Sequence, residues 1–153
     1  MKRKKIATLV ILALFGALII WLAVVFIIPT SDFAVGSTFA EALIYNEIDS
    51  AKRYSSPEIW SALESWPNKH NAISQDCKAP SDLDLGIWSI SGGYTENEIT
   101  RSYVIGRECP DEFYTVTIDD MTLRKVDNRW RVISLVSYCE STVNSAEICL
   151  GFD

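Results

Sequence analysis

The sequence predicts an α+β domain carried behind an N-terminal transmembrane helix, and three patterns lead there. Residues 6–28 contain no charged side chain. Small and apolar residues then recur at helical spacing as far as Trp66, and after a polar connection the period changes to two in a pair of hairpins. In a chain of 153 residues the anchor leaves room for one domain of ordinary size.

As a helix, the uncharged run from Ile6 to Ile28 reaches roughly 35 Å at about 1.5 Å per residue, slightly more than the ~30 Å hydrocarbon core. It spans with a little tilt. Lys2, Arg3, Lys4 and Lys5 precede it and the first charge after it is Asp32, so the positive-inside rule places the N-terminus in the cytoplasm. The rival reading, a cleaved signal peptide, wants a shorter apolar stretch and a small-x-small site; the best local match, Asp32-Phe33-Ala34, opens on a charge. The expected organisation is a basic cytoplasmic tail over 1–5, a single plasma-membrane span over 6–29 and an exported domain over 30–153.

All 20 acidic residues but only 10 of the 14 basic ones lie beyond the anchor, giving that part a formal charge of −10. Nucleic acid and anionic lipid are disfavoured as partners, because both need clustered Lys and Arg to replace counterions. Cys77, Cys109, Cys139 and Cys149 are all exported, an even number where disulfides persist. Their spacing matches no zinc pattern, and His70 is the only histidine, so neither metal nor cofactor is expected.

Ser31 or Asp32 caps a first helix whose stripe is Gly36, Phe39, Ala40, Leu43 and Ile44. Asn46 to Asp49 interrupts it. A short helix over 50–54 follows, and then Ser55-Ser56-Pro57-Glu58 opens a third, which Pro67 stops. In that third helix Trp60 and Trp66 are about 240° apart, so one packs inward and the other lies nearer the surface, where it suits a protein partner. The polar stretch over 68–81 is a connection.

Strands take over from Leu83, Leu85 and Ile87, turn at Gly92-Gly93, and return through Ile99, Arg101, Tyr103 and Ile105. Centred near residue 93, this hairpin sets Leu83 opposite Tyr103 and Ile87 opposite Ile99, and brings Cys77 beside Cys109, the expected first disulfide. A second hairpin turns at Asp127-Asn128, with Leu123 facing Val132 and Met121 facing Ser134. Upstream of Asp119-Asp120 its apolar set moves to Tyr114, Val116 and Ile118, a one-residue phase change that signals a β-bulge. With both aspartates opposite Leu135, Ile118 meets Val136 and Val116 meets Tyr138. Cys139 and Cys149, the second expected bridge, would pin a tail without strand or helix signal to the last strand.

Phe39-Ala40-Glu41-Ala42-Leu43 followed by Asn46-Glu47-Ile48-Asp49-Ser50-Ala51, and the hairpin Leu123-Arg124-Lys125-Val126-Asp127-Asn128-Arg129-Trp130-Arg131-Val132, resemble elements of the nuclear transport factor 2-like superfamily. The resemblance covers roughly residues 33 to 139. It implies an α+β roll, about three helices packed on a curved, mainly antiparallel four-stranded sheet that often encloses a pocket. The superfamily holds isomerases, dehydratases, binding modules and structural partners, so the fold does not choose among them.

Tyr103, Met121, Trp130, Val136 and Tyr138 either line such a pocket or form the core. Asp119 and Asp120 are the acid–base candidates, against the plainer reading of two solvated carboxylates on a bulge. His70 reads as a solvated loop residue. No catalytic constellation stands out, and the leading expectation is a membrane-anchored extracytoplasmic binding or interaction protein that meets a protein partner in the envelope or a small apolar ligand. Two alternatives stand beside it: a pocket isomerase, dehydratase or hydrolase using Asp119 or Asp120 with Tyr103 or Tyr138, and an assembly component of an envelope secretion or transfer complex.

Overall fold

The computed structural model describes Gly16 and residues 31–80, 87–142 and 145–151. But for Gly16, the anchor expected over 6–29 lies outside them, and among the described residues no helix is long and apolar enough to cross a membrane. The chain divides into Met1–Thr30 and Ser31–Asp153, and the second unit holds the α+β fold of three helices and one antiparallel sheet.

Helix α1 spans Asp32–Ile44, α2 Ile48–Tyr54, and α3 Trp60–Lys69 after a 3₁₀ turn at Pro57–Ile59. Ser31 is the cap of α1: its backbone is extended and its Oγ accepts the Ala34 N–H at 3.1 Å. The end of α1 is set by Asn46, whose φ of 54° is left-handed. Asn46 N–H donates to Leu43 O at 3.1 Å and Glu47 N–H to Ala42 O at 2.8 Å, the paired bonds with which a helix closes on a left-handed residue. Helix α3 runs through Pro67 rather than stopping there. Proline removes only its own N–H from the ladder, and His70 N–H to Trp66 O at 3.0 Å closes the last turn.

The sheet has six strands where four were expected: β1 Ile87–Tyr94, β2 Glu98–Glu108, β3 Phe113–Val126, β4 Arg129–Ser134, β5 Ser137–Thr142 and β6 Ser145–Gly151. Their order is β1-β2-β3-β5-β6, and β4 also pairs with β3. At 14 residues β3 is long enough to take β5 along its first half and β4 along its second.

Four details of register depart from the sequence reading. Gly92-Gly93 does not turn the first hairpin but sits inside β1 where the register slips against Thr100; the turn is at 95–97, closed by Thr95 N–H to Glu98 O at 2.7 Å. Ile87 therefore pairs with Ile105, not Ile99, while Leu83 and Leu85 lie outside the described residues. The bulge at Asp119-Asp120 is present, with Asp120 at φ 52°, but it faces Ser102 of β2 instead of Leu135. Toward the C-terminus Ile118 meets Tyr138 and Val116 meets Glu140, and Thr122 rather than Met121 pairs with Ser134 because a further bulge interrupts β4. The tail is not irregular: it is β6, in which Cys149 is the register partner of Cys139.

Asp127 and Asn128, at φ 50° and 61°, form the left-handed pair that a two-residue hairpin needs, and Leu123 faces Val132 as expected. Disulfides join Cys77 to Cys109 and Cys139 to Cys149. The Cys77 bridge is flanked by reciprocal backbone bonds between Lys78 and Glu108, each at 2.9 Å.

Phe39, Leu43, Ile44, Leu63 and Trp66 pack against Tyr103, Ile105, Val116, Ile118, Leu123 and Val132, all within 1% of full burial. On β2 the residues Arg101, Tyr103, Ile105 and Arg107 share one face by strand alternation, with arginines at its two ends. Asp32 and Glu41 of α1 meet them, Asp32 taking Arg101 Nε at 2.6 Å and Glu41 pairing with Arg107. Nine helical residues cover about 14 Å and six strand residues about 20 Å, so the helix lies along the strand and is pinned near both ends.

Candidate functional site

The expected pocket residues differ in burial. Tyr103, Met121 and Tyr138 are fully buried in the core, Trp130 packs at its edge under the Lys125 ammonium at 5.1 Å, and Val136 is 60% exposed between β4 and β5. Asp119 is half-buried; Asp120 is exposed, its N–H donating to Ser102 Oγ at 3.3 Å. Tyr103 reaches over α1, with its ring against Gly36, the one helical position where a Cβ would overlap the phenol. Burial pushes the hydroxyls of Tyr103 and Tyr138 above their ordinary pKa.

His70 is not a solvated loop residue. Its side chain is fully buried, stacked on Trp66 with ring centres 5.2 Å apart and edge-on to Tyr138 at 5.0 Å. Nε2 lies 3.0 Å from Glu140 Oε2 and 3.0 Å from the Tyr138 hydroxyl. Nε2 thus has a carboxyl oxygen and a phenol oxygen as its two hydrogen-bond partners. Asn46, placed by its left-handed backbone, donates Nδ2–H to His70 O at 3.0 Å. Burial lowers the His70 pKa, and the charge and hydrogen bond of Glu140 oppose this. The group has the elements of an acid–base relay, but its imidazole has no exposed surface on which a substrate could be placed. It works as a polar knot joining β5 to the end of α3 and the end of α1. On the outer side of Glu140 a shallow depression of about 280 Å³ is lined by Glu112, Tyr114, Ser141, Thr142 and Ile148. A hydrogen bond to Glu112 raises the Tyr114 pKa there.

The larger concavity lies elsewhere. A groove of about 740 Å³ runs between the α2–α3 connection and the β3–β4 hairpin, lined by Lys52, Arg53, Trp60, Asp127, Arg129 and Arg131 with Ser55, Ser56, Pro57 and Val126. Its walls are tied together by Ser56 N–H to Val132 O at 2.8 Å and a bridge between Ser55 and Val132. Arg129 and Arg131 are two apart on β4 and so face the same way. Trp60 is 39% exposed whereas Trp66 is buried, the division their helical spacing requires. Lys52 sits 5.7 Å from the Trp60 ring centre and pairs with Glu64 at 2.7 Å. Four cations and one carboxylate thus line a groove in a domain whose formal charge is −10.

No family model, curated protein or solved structure matches this sequence.

Proposed function

We propose that this chain is a membrane-anchored extracytoplasmic binding protein: an α+β roll of the nuclear transport factor 2-like kind, anchored through residues 6–29, that meets a protein partner. The observation that carries this reading is the cationic groove beside the half-exposed Trp60, because aromatic and arginine side chains dominate the energetics of protein contacts. Further support comes from the uncharged run behind four basic residues and from cysteines confined to the exported part. A pocket enzyme draws less support, since Tyr103, Met121 and Tyr138 fill the interior and Asp120 faces solvent.

The test places a photo-crosslinking amino acid at Trp60 of the full chain in its native membrane and, as a control, at Tyr94, which is 71% exposed and absent from the groove lining. Adducts to one partner, identified by mass spectrometry, are expected from position 60 alone. Equal, diffuse labelling from both positions would remove the proposal.

A further inference from the structure

Six arginines lie among the described residues of the exported unit, and they divide by place. Arg101, Arg107 and Arg124 each pair with a carboxylate, of Asp32, Glu41 and Glu98 respectively. Arg53, Arg129 and Arg131 have no ion pair or side-chain hydrogen bond among the described residues, and all three line the groove beside Trp60. Carboxylates are plentiful in this domain, so three unpaired guanidiniums in one concavity are the exception to its charge pattern. Arg131 also stands directly opposite Arg124 across the β3–β4 hairpin, a like-charge pairing that costs stability. Arg124 is already taken by Glu98, so the Arg131 charge is left for an anion from outside the domain.

Resting on the binding reading above, we infer that the groove takes an acidic segment of a polypeptide, whose carboxylates are held by Arg53, Arg129 and Arg131 while its chain packs on Trp60. The guanidinium fork matches a carboxylate in two parallel hydrogen bonds, and the Trp60 face supplies apolar contact for the intervening chain. Size argues for a segment over a lone oxyanion. At about 740 Å³ the groove lies in the size range of sites that take a drug-sized ligand, which is room for a few residues of chain and more than one ion fills. Charge argues against a bilayer or a nucleic acid strand. Either is an extended polyanion that would face the acidic surplus of the domain as well as the groove, and repulsion between them acts over a Debye length of about 8 Å at physiological salt. A short acidic segment neutralises the local cluster and extends no further. The Ser55–Val132 and Ser56–Val132 ties hold the two walls in place beforehand, which lowers the ordering cost of binding.

The measurement uses the full chain in phosphatidylcholine nanodiscs and fluorescence polarisation of a labelled, end-capped octapeptide of alternating Glu and Asp. A Lys octapeptide of equal length is the control. The expected results are saturable binding of the acidic peptide alone, at least fivefold weakening in Arg53→Gln and in R129Q/R131Q, weakening in Trp60→Leu, and loss of affinity as salt rises. Arg53 and Arg129 are exposed and Arg131 half-buried, and circular dichroism checks that the variants keep their fold. Absence of acidic-peptide binding, binding that the arginine variants leave unchanged, or flotation with phosphatidylglycerol vesicles in place of peptide binding would each overturn the inference. The two readings separate by repeating the crosslinking at position 60 in the R53Q/R129Q/R131Q chain. Adducts that persist there leave a binding protein without an acidic ligand, while adducts absent even from the parent chain remove the binding reading itself.

Discussion

Removing the two disulfides one at a time should cost unequal amounts, and the loop each closes sets the difference. Cys139 and Cys149 are 10 residues apart and Cys77 and Cys109 are 32 apart. If a cross-link acts by restricting the unfolded chain, the entropy of closing such loops corresponds to about 2.7 kcal/mol for the shorter and about 3.7 kcal/mol for the longer. Replacing both cysteines of a pair by alanine therefore gives C77A/C109A roughly 1 kcal/mol less stability than C139A/C149A. Cys77 and Cys139 are similarly buried, at 5% and 7% exposure, but Cys109 packs against the core whereas Cys149 is exposed, so lost packing adds to the difference in the same direction. Urea unfolding followed by tryptophan emission reads the difference. Both variants should also show a steeper denaturant dependence than the parent, since an uncrosslinked unfolded chain exposes more surface. A C139A/C149A variant as unstable as C77A/C109A, or more so, would refute the loop argument. The register pairing of β5 with β6 would then owe its stability to the bond itself.

Two further expectations concern single side chains. Gly36→Ala drives a Cβ into the Tyr103 phenol and should cost about 1–3 kcal/mol in urea unfolding; Tyr103→Phe removes the overlapped hydroxyl, so the double variant should lose less than the sum of the singles. Burial holds the His70 pKa below its unfolded value of about 6.5, so as pH falls through that value the unfolded chain takes up the proton first and stability declines. The thermal midpoint should therefore drop between about pH 6.5 and pH 5, before most carboxylates titrate, and His70→Gln should flatten that slope; identical slopes would exclude His70 as the cause.

Local features were legible from the sequence wherever a short-range rule decides. Ser31 caps α1, Asp127-Asn128 turns the second hairpin, and the phase change at Asp119-Asp120 marks a real bulge. Gly92-Gly93 misled because glycines serve a bulge as readily as a turn, and the nearby Thr95 side chain closes the turn instead. The strand in the tail carried no alternation signal, since its register comes from the Cys139–Cys149 pairing across it. His70 could not be read as buried. Its partners Asn46, Tyr138 and Glu140 stand 24, 68 and 70 residues away, and the local sequence around it is polar. The groove is likewise assembled from α2, the start of α3 and the β3–β4 hairpin, while the overall charge points to acid. Its one local sign is Arg129-Trp130-Arg131, two cations on a common strand face.

The pinning of α1 along β2 has a kinetic side. Asp32–Arg101 and Glu41–Arg107 span 69 and 66 residues of chain, and closing a loop of that size costs roughly 3.8 kcal/mol of entropy. Only the first contact to form bears it. Once either pair is made, the other lies on the same helix and the same strand and closes over a few residues. Hairpins and helices are local and form early, so the joining of the two layers is the slow step, as expected for a topology rich in distant contacts. The pair that forms second then belongs to the late side of the barrier, so one of Asp32→Ala and Glu41→Ala should speed unfolding in a chevron while leaving the refolding limb in place. In this domain the later of the two long-range ion pairs acts as a latch on the folded state, governing how long the molecule stays closed and not how quickly it closes.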